Sequence, residues 1–438
     1  MSDEDEEEAE QQYILKRKLD ALKEVSIQMK ENPENKTVQL KGVQGFVSLF
    51  TGMPLQLEMN AIKKLLGETD SAKRVAIALA KFPHTKLIVY ESLVFFAYAA
   101  TVSVRLRDEL YINDALTLTV KAILEWMNHE IIVTTGLGAL FHLCSRSSRA
   151  LKRMERHSPN GNVMVYNLLK MYGSGMDRLK GSKNMSDDIL NWLLAIISLF
   201  QGNQQGADVL VSSVTECLMN NLDNVNHLYA GCTAIANFVF ENETNRKAAI
   251  DGGIFQIVTL TLFKYTGSPK ACLAAATALT NCCQNDDIAA TLTTGDGART
   301  VALMIEQLKV GDYELNSVIL NFLYFVASNS SALRFQCKKL GVFSLIEKAS
   351  LRFADDVDFQ SRASLARDAL EQVTEEGTVL EEEQLQLEVK NPALLKILKD
   401  AAEKSSTEEK DELKYEYYRE EATGRRMVVG MNRKPKTT

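Results

Sequence analysis

Residues 231–260 read GCTAIANFVFENETNRKAAIDGGIFQIVTL, and the fold follows from how that stretch divides. Gly231, Ala234, Ile235 and Phe238 fall at i, i+3, i+4 and i+7, the stripe that one helix buries. Polar Glu241–Asn245 interrupts the stripe. A short helix then runs to Asp251–Gly253, where glycine suits a left-handed helix end, and a second apolar helix occupies about 254–264. Gly267–Pro269 breaks the chain again, with Ser268 placed as N-cap and Pro269 as the first residue of the next long helix.

The pattern recurs. Gly253, Gly297 and Gly341 are 44 residues apart. The buried stripe returns as Ala275, Ala278, Leu279 and Cys282, and again as Ile319, Phe322, Leu323 and Val326. Three helices per unit of about 40 to 47 residues is a solenoid signature. On these residues, and on AAATALTNCCQNDDIAATLTTGDGARTVALM at 274–304, the chain resembles the armadillo-repeat superfamily. The resemblance implies an all-α, right-handed armadillo-like α-solenoid with a charged, partly helical C-terminal extension.

Working outward, long helices are expected at 184–201, 224–241, 268–284, 311–328 and 356–376, and upstream at 84–102 and 127–145. Segment 162–172 reads as a second helix, followed by a Gly/Ser/Lys-rich insertion at 173–183. KTVQLKGVQGFVSLF at 36–50 reads as a short helix, a glycine and a second helix. The expected organisation is an acidic tail at 1–12, a helical cap at 13–39, about seven repeat units at 40–376, and an extension at 377–438. Within the extension, Asn391 and Pro392 open an amphipathic helix to Glu403, with Leu394, Leu395, Ile397, Leu398 and Ala401 on one stripe. That helix reads as a cap on the last repeat, a detachable docking motif or an autoinhibitor.

Composition narrows the function. The 438 residues are 46% hydrophobic with seven prolines, enough for one long core and suited to helices. No apolar run has the length of a membrane span, and the N-terminus is not a signal peptide. Seven cysteines without a CxxC pair read as buried small hydrophobes of a reducing compartment, so a cytoplasmic or nuclear location is expected. The formal net charge of −7 equals the seven acids of residues 1–10, and residues 11–370 carry 38 bases against 34 acids. So balanced a body offers no basic face for nucleic acid. Ser2 before the acids resembles an acidophilic-kinase site. The basic run Arg425–Lys436 is interrupted by Met427–Met431 and is a weak localisation signal.

No catalytic, cofactor or metal pattern stands out. The five histidines, His84, His129, His142, His157 and His227, show no paired-ligand spacing. Gly175 to Gly181 with Ser182–Lys183 has the wrong length and order for a P-loop, and Gly136–Gly138 lacks a third glycine. An enzyme is not expected.

What remains is the outward face of the long helices. In the armadillo family the nuclear-import adaptors carry Trp-x-x-x-Asn arrays on the third helix, where asparagine holds a peptide backbone and tryptophans sandwich lysine stems. The 44-residue register places Asn237, Asn281 and Phe325 at the asparagine position, with His142 upstream by similarity, and Thr233, Thr277 and Asn321 at the tryptophan position. Asparagine is kept in two units and tryptophan in none. The resemblance therefore implies a groove that binds extended protein segments, and not an importin-like grip on basic signals. Two readings of Asn237 and Asn281 stay open: groove contacts, or ties between neighbouring backbones. The expected role is a protein-binding adaptor or scaffold. The alternatives are a nuclear transport adaptor, and a chaperone cofactor or small-GTPase regulator.

Overall fold

The computed structural model describes residues 3–50, 56–145, 147–156, 161–173, 183–200, 206–284, 289–293, 295–372, 417–419 and 426–428. The chain forms two compact bodies, Met1–Tyr172 with Met176–Leu199, and Gly173–Gly175 with Phe200–Thr438.

The N-terminal body contains α1 (Asp3–Glu31), α2 (Lys36–Val47) with a 3-10 turn at Ser48–Phe50, α3 (Gln56–Glu68), α4 (Ser71–Lys81), α5 (Lys86–Val102), α6 (Val104–Ile112), α7 (Ala115–Glu125), α8 (Glu130–Cys144), α9 (Ser148–Arg156), α10 (Gly161–Gly173) and α11 (Lys183–Leu199). Its rungs are α2, α5, α8 and α11, each packed on the next. The C-terminal body contains α12 (Ala207–Met219), α13 (Val225–Val239), α14 (Glu243–Asp251), α15 (Ile254–Lys264), α16 (Pro269–Cys282), α17 (Ala289–Leu292), α18 (Gly295–Glu306), α19 (Tyr313–Asn329), α20 (Ser331–Lys339), α21 (Val342–Arg352) and α22 (Val357–Glu371). Here the rungs are α13, α16, α19 and α22. Two short antiparallel strands, β1 (Tyr417–Arg419) and β2 (Arg426–Val428), pair Tyr418 with Met427.

Each rung has a defined start. Asn35, Asn224, Asp312 and Asp356 cap α2, α13, α19 and α22 by accepting backbone N–H groups of the first turn. Ser268 and Pro269 sit at the expected N-cap and first helical positions of α16, although the Ser268 hydroxyl makes no capping bond. Four residues after the cap, a side chain reaches back to the helix just left. Gln39 donates to the carbonyls of Asn32 and Met29, Asn316 to that of Val310, and Gln360 to those of Phe353 and Ser350. The carbonyls of Asn32, Ser350 and Phe353 also accept a backbone N–H of the turn, from Asn35, Phe353 and Asp356, and the added side-chain bonds fix its geometry.

The stripes read from the sequence are buried in all three copies. Between α13 and α16 the seam is made of small residues. Ala271, Ala274, Ala275, Ala276 and Ala278 are buried along α16. Gly231 of α13 faces α12 instead, where an added Cβ would come within 2.5 Å of Leu218. Hydrogen bonds join units one period apart: Trp126 Nε1 to the Pro83 carbonyl at 2.9 Å, and Tyr265 Oη to the Leu222 carbonyl at 3.0 Å. Both aromatic rings stand at the C-cap of a second helix, so each unit docks its closing turn on the equivalent turn before it.

Several expectations are corrected. Residues 36–47 form one helix, not two around a glycine, because Gly42 is a buried contact point whose Cβ position overlaps Met29. That helix straddles the expected cap boundary at 39/40 and serves as the first rung. The acidic residues expected in a tail lie in α1 from Asp3 onward. Gly253 and Gly341 are left-handed as expected, at φ of +92° and +69°, but Gly297 is not. The left-handed residue in its unit is Gly295, at φ of +53°, and Gly297 lies inside α18. What requires glycine there is space: an added Cβ would sit 2.2 Å from the Thr291 carbonyl oxygen and 2.7 Å from the Leu292 Cα. Most of the expected 173–183 insertion and all of helix 391–403, like Ser2, lie outside the described residues.

All seven cysteines are buried free thiols. Burial pushes Cys232, Cys272, Cys282 and Cys337 up to about 12, and raises Cys283 as well.

Two outcomes follow. Gly297→Ala should lower the melting temperature more than Gly253→Ala. The first needs a backbone shift, whereas the second meets the mobile end of Gln256 and costs roughly 1 kcal/mol of left-handed strain. Equal shifts in paired thermal melts would contradict this account. In alkaline solution, unfolded thiols lose their protons near pH 9 while the folded ones hold theirs to about 12. Stability is therefore fully present below pH 9 and lost as the pH rises through 12. Denaturant titrations at pH 8 and pH 10.5 should show a lower midpoint at the higher pH, and replacing Cys232 and Cys282 by Ala should shrink that difference.

Candidate functional site

The residues singled out in the C-terminal body fall on one row of its ladder. Thr233 is half-buried and Asn237 exposed on α13, Thr277 and Asn281 are half-buried on α16, and Asn321 and Phe325 are half-buried on α19. Because α13, α16 and α19 pack in succession, these pairs lie side by side. Helix packing separates the rungs by about 8–10 Å.

Their bonding is unequal. The hydroxyls of Thr233 and Thr277 donate to the carbonyls of Tyr229 and Leu273 one turn back in their own helices, at 2.8 and 2.7 Å. Asn281 donates through Nδ2 to the Ala236 carbonyl of the neighbouring rung at 2.9 Å. That carbonyl belongs to the last turn of α13, where helical partners run out, so Asn281 ties the stack together. Two more carbonyls of that end accept from Asn245 Nδ2 (Phe238, 2.7 Å) and the Asn242 N–H (Val239, 3.3 Å). Phe325 stands beside Tyr324, with ring centroids 5.6 Å apart, and Tyr324 is exposed.

His142 belongs to the N-terminal body and is not part of this row. It packs against Trp192 of α11 at 5.7 Å between centroids, with Phe141 5.4 Å from the same indole. Trp192 also lies against Gly138, whose Cβ position is 3.6 Å from the indole. Four residues before His142, Gly138 leaves the space that the half-buried tryptophan fills. Trp192 was missed from sequence because the register around α11 departs from 44 residues. Further along the same ladder, Phe50 stacks on the exposed Tyr98 at 5.3 Å and 12°, so the N-terminal body presents an aromatic row and the C-terminal body an amide and hydroxyl row.

Long helix, short helix and second helix repeat in this order, long helix packed on long helix, through both bodies. The fold is armadillo-like. No protein-family model and no curated protein sequence matches the chain. Among solved structures, an engineered protein from a structural genomics consortium is similar at 15% identity and a TM-score of 0.48, over 81% of this chain and 95% of that one. A designed armadillo repeat protein in complex with the peptide (KR)4 is similar at 14% identity and a TM-score of 0.45, over 58% and 98%. Among the described residues, no helix is long and apolar enough to cross a membrane, and no group of three or more His, Cys, Asp or Glu side chains could hold a metal ion.

Asn281→Ala strands the Ala236 carbonyl and should cost about 1–2 kcal/mol of stability. A melting temperature equal to wild type would show that the tie between α16 and α13 contributes nothing.

Proposed function

We propose that this protein is a non-enzymatic adaptor that holds extended segments of partner proteins across its ladder face. The observation that carries the reading is the row of half-exposed amide, hydroxyl and aromatic side chains from α13, α16 and α19. An extended chain advances about 3.3 Å per residue, so rungs roughly 10 Å apart meet it once every three residues. An amide offers a donor and an acceptor to a peptide backbone at each crossing. Asn237, the most exposed of the row, and Asn321 present amides for that role, and Asn281 divides its bonding between the stack and the ligand. No field of one sign is required, in keeping with the nearly balanced charge of residues 11–370.

The test uses extended peptides selected from a random displayed library against the full-length protein. Asn237→Ala with Asn321→Ala should weaken their binding about tenfold or more, measured per folded molecule with the helical circular-dichroism signal retained. Thr277→Arg, placed in the middle of the row, should abolish it. If selected peptides bind Thr277→Arg as tightly as wild type, the ladder face is not where they are held.

A further inference from the structure

The rungs α13, α16 and α19 are each followed by another, whereas among the described residues none follows α22. Its inner face is buried through Phe359, Ala363, Ala366 and Leu370, and its other side carries the exposed Leu365. Together with α21 it walls an open groove of about 550 Å³. Leu351, Ala354 and Ala363 give the groove an apolar strip, and Glu347, Gln360, Arg367, Asp368 and Glu371 give it a polar wall with three acids against one base. Leu351 is 72% exposed, a large apolar side chain with nothing over it.

We infer that this groove is the docking site for residues 391–403 of the same chain, an amphipathic helix that covers the last rung as a following unit would. Drawn as a helix, NPALLKILKDAAE gathers Leu394, Leu395, Leu398 and Ala401 on one stripe. Lys399 falls along one edge of that stripe and Lys390 and Lys404 along the other. Asp400 and Glu403 turn away from it. An apolar stripe edged by lysines matches an apolar strip flanked by a wall of net negative charge. The small side chains of Ala354, Ala363, Ser350 and Ser364 let a helix approach closely. Reach is sufficient: the 18 residues from 373 to 390 can extend about 60 Å, against roughly 22 Å for the whole of α22. A tether of that kind holds the segment at an effective concentration on the order of millimolar, which favours it over a second copy of the chain.

The experiment uses the full-length protein and two measurements. Zero-length carbodiimide coupling, read by mass spectrometry, should join Lys390, Lys399 or Lys404 to Glu347, Asp368 or Glu371 within the monomer band. Amide hydrogen exchange in 357–371 should then be at least tenfold faster in the L395D/L398D double variant than in wild type. Both substitutions lie outside the repeats, so the variant keeps the folded ladder, and unchanged exchange outside α21 and α22 serves as its control. Equal exchange of α22 in the two proteins would overturn the assignment. So would couplings confined to a dimer band, which would mean that a second copy occupies the groove.

Discussion

A rung of this ladder has no inside of its own. The buried stripe of α16 is closed by α13 on one side and α19 on the other, and by α14 and α15 of the preceding unit behind. Each rung is folded because its neighbours are, as repeat stacking requires. The rest follows from that dependence. Alanine is common on α16 because the two flanking helices must come close, and glycine occurs at Gly231 and Gly136, where a neighbouring Leu218 or Ile123 enters the helix surface. Polar side chains are spent on the turns, where rungs begin and end and water would otherwise enter.

The turns set the register. A cap residue fixes where a rung starts, a side chain four residues later binds back to the helix before it, and an aromatic C-cap reaches the preceding unit. Arg352 works in the same way from α21, donating to the Val310 carbonyl at 2.8 Å and also to that of Leu308. Bonds that span about one period hold the stagger between units, and apolar packing supplies the cohesion. The candidate row is what the ladder face leaves exposed or half-exposed once both tasks are met.

Much of this was legible in the sequence. The helices at 254–264 and 269–282 could be placed to within two residues because glycine, proline and a period-3.6 stripe agreed there. The same tools failed at Gly42 and Gly297. From sequence a glycine signals a turn, but in these two places it answers a close approach from a residue that no local pattern predicts, Met29 in one case and the backbone of Thr291 and Leu292 in the other. Asn237 and Asn281 look equivalent at the 44-residue spacing. The bond to Ala236 that ties Asn281 to the preceding rung is a matter of side-chain reach, and spacing alone does not carry it. Trp192 escaped for a related reason, since its place in the row is set by contact with Gly138 and His142.

The small-residue seam between α13 and α16 has a consequence for how such a chain can change length. Because every joint is made with a unit's immediate neighbours, inserting or deleting one full period of about 44 residues leaves a rung facing a rung of the same kind, stripe against stripe. A half-period change would instead present the polar face of a second helix to Ala274, Ala275 and Ala278, with no water to solvate it and no side chain long enough to bridge it. The molecule is thus open to growth by whole units and closed to nearly every other length.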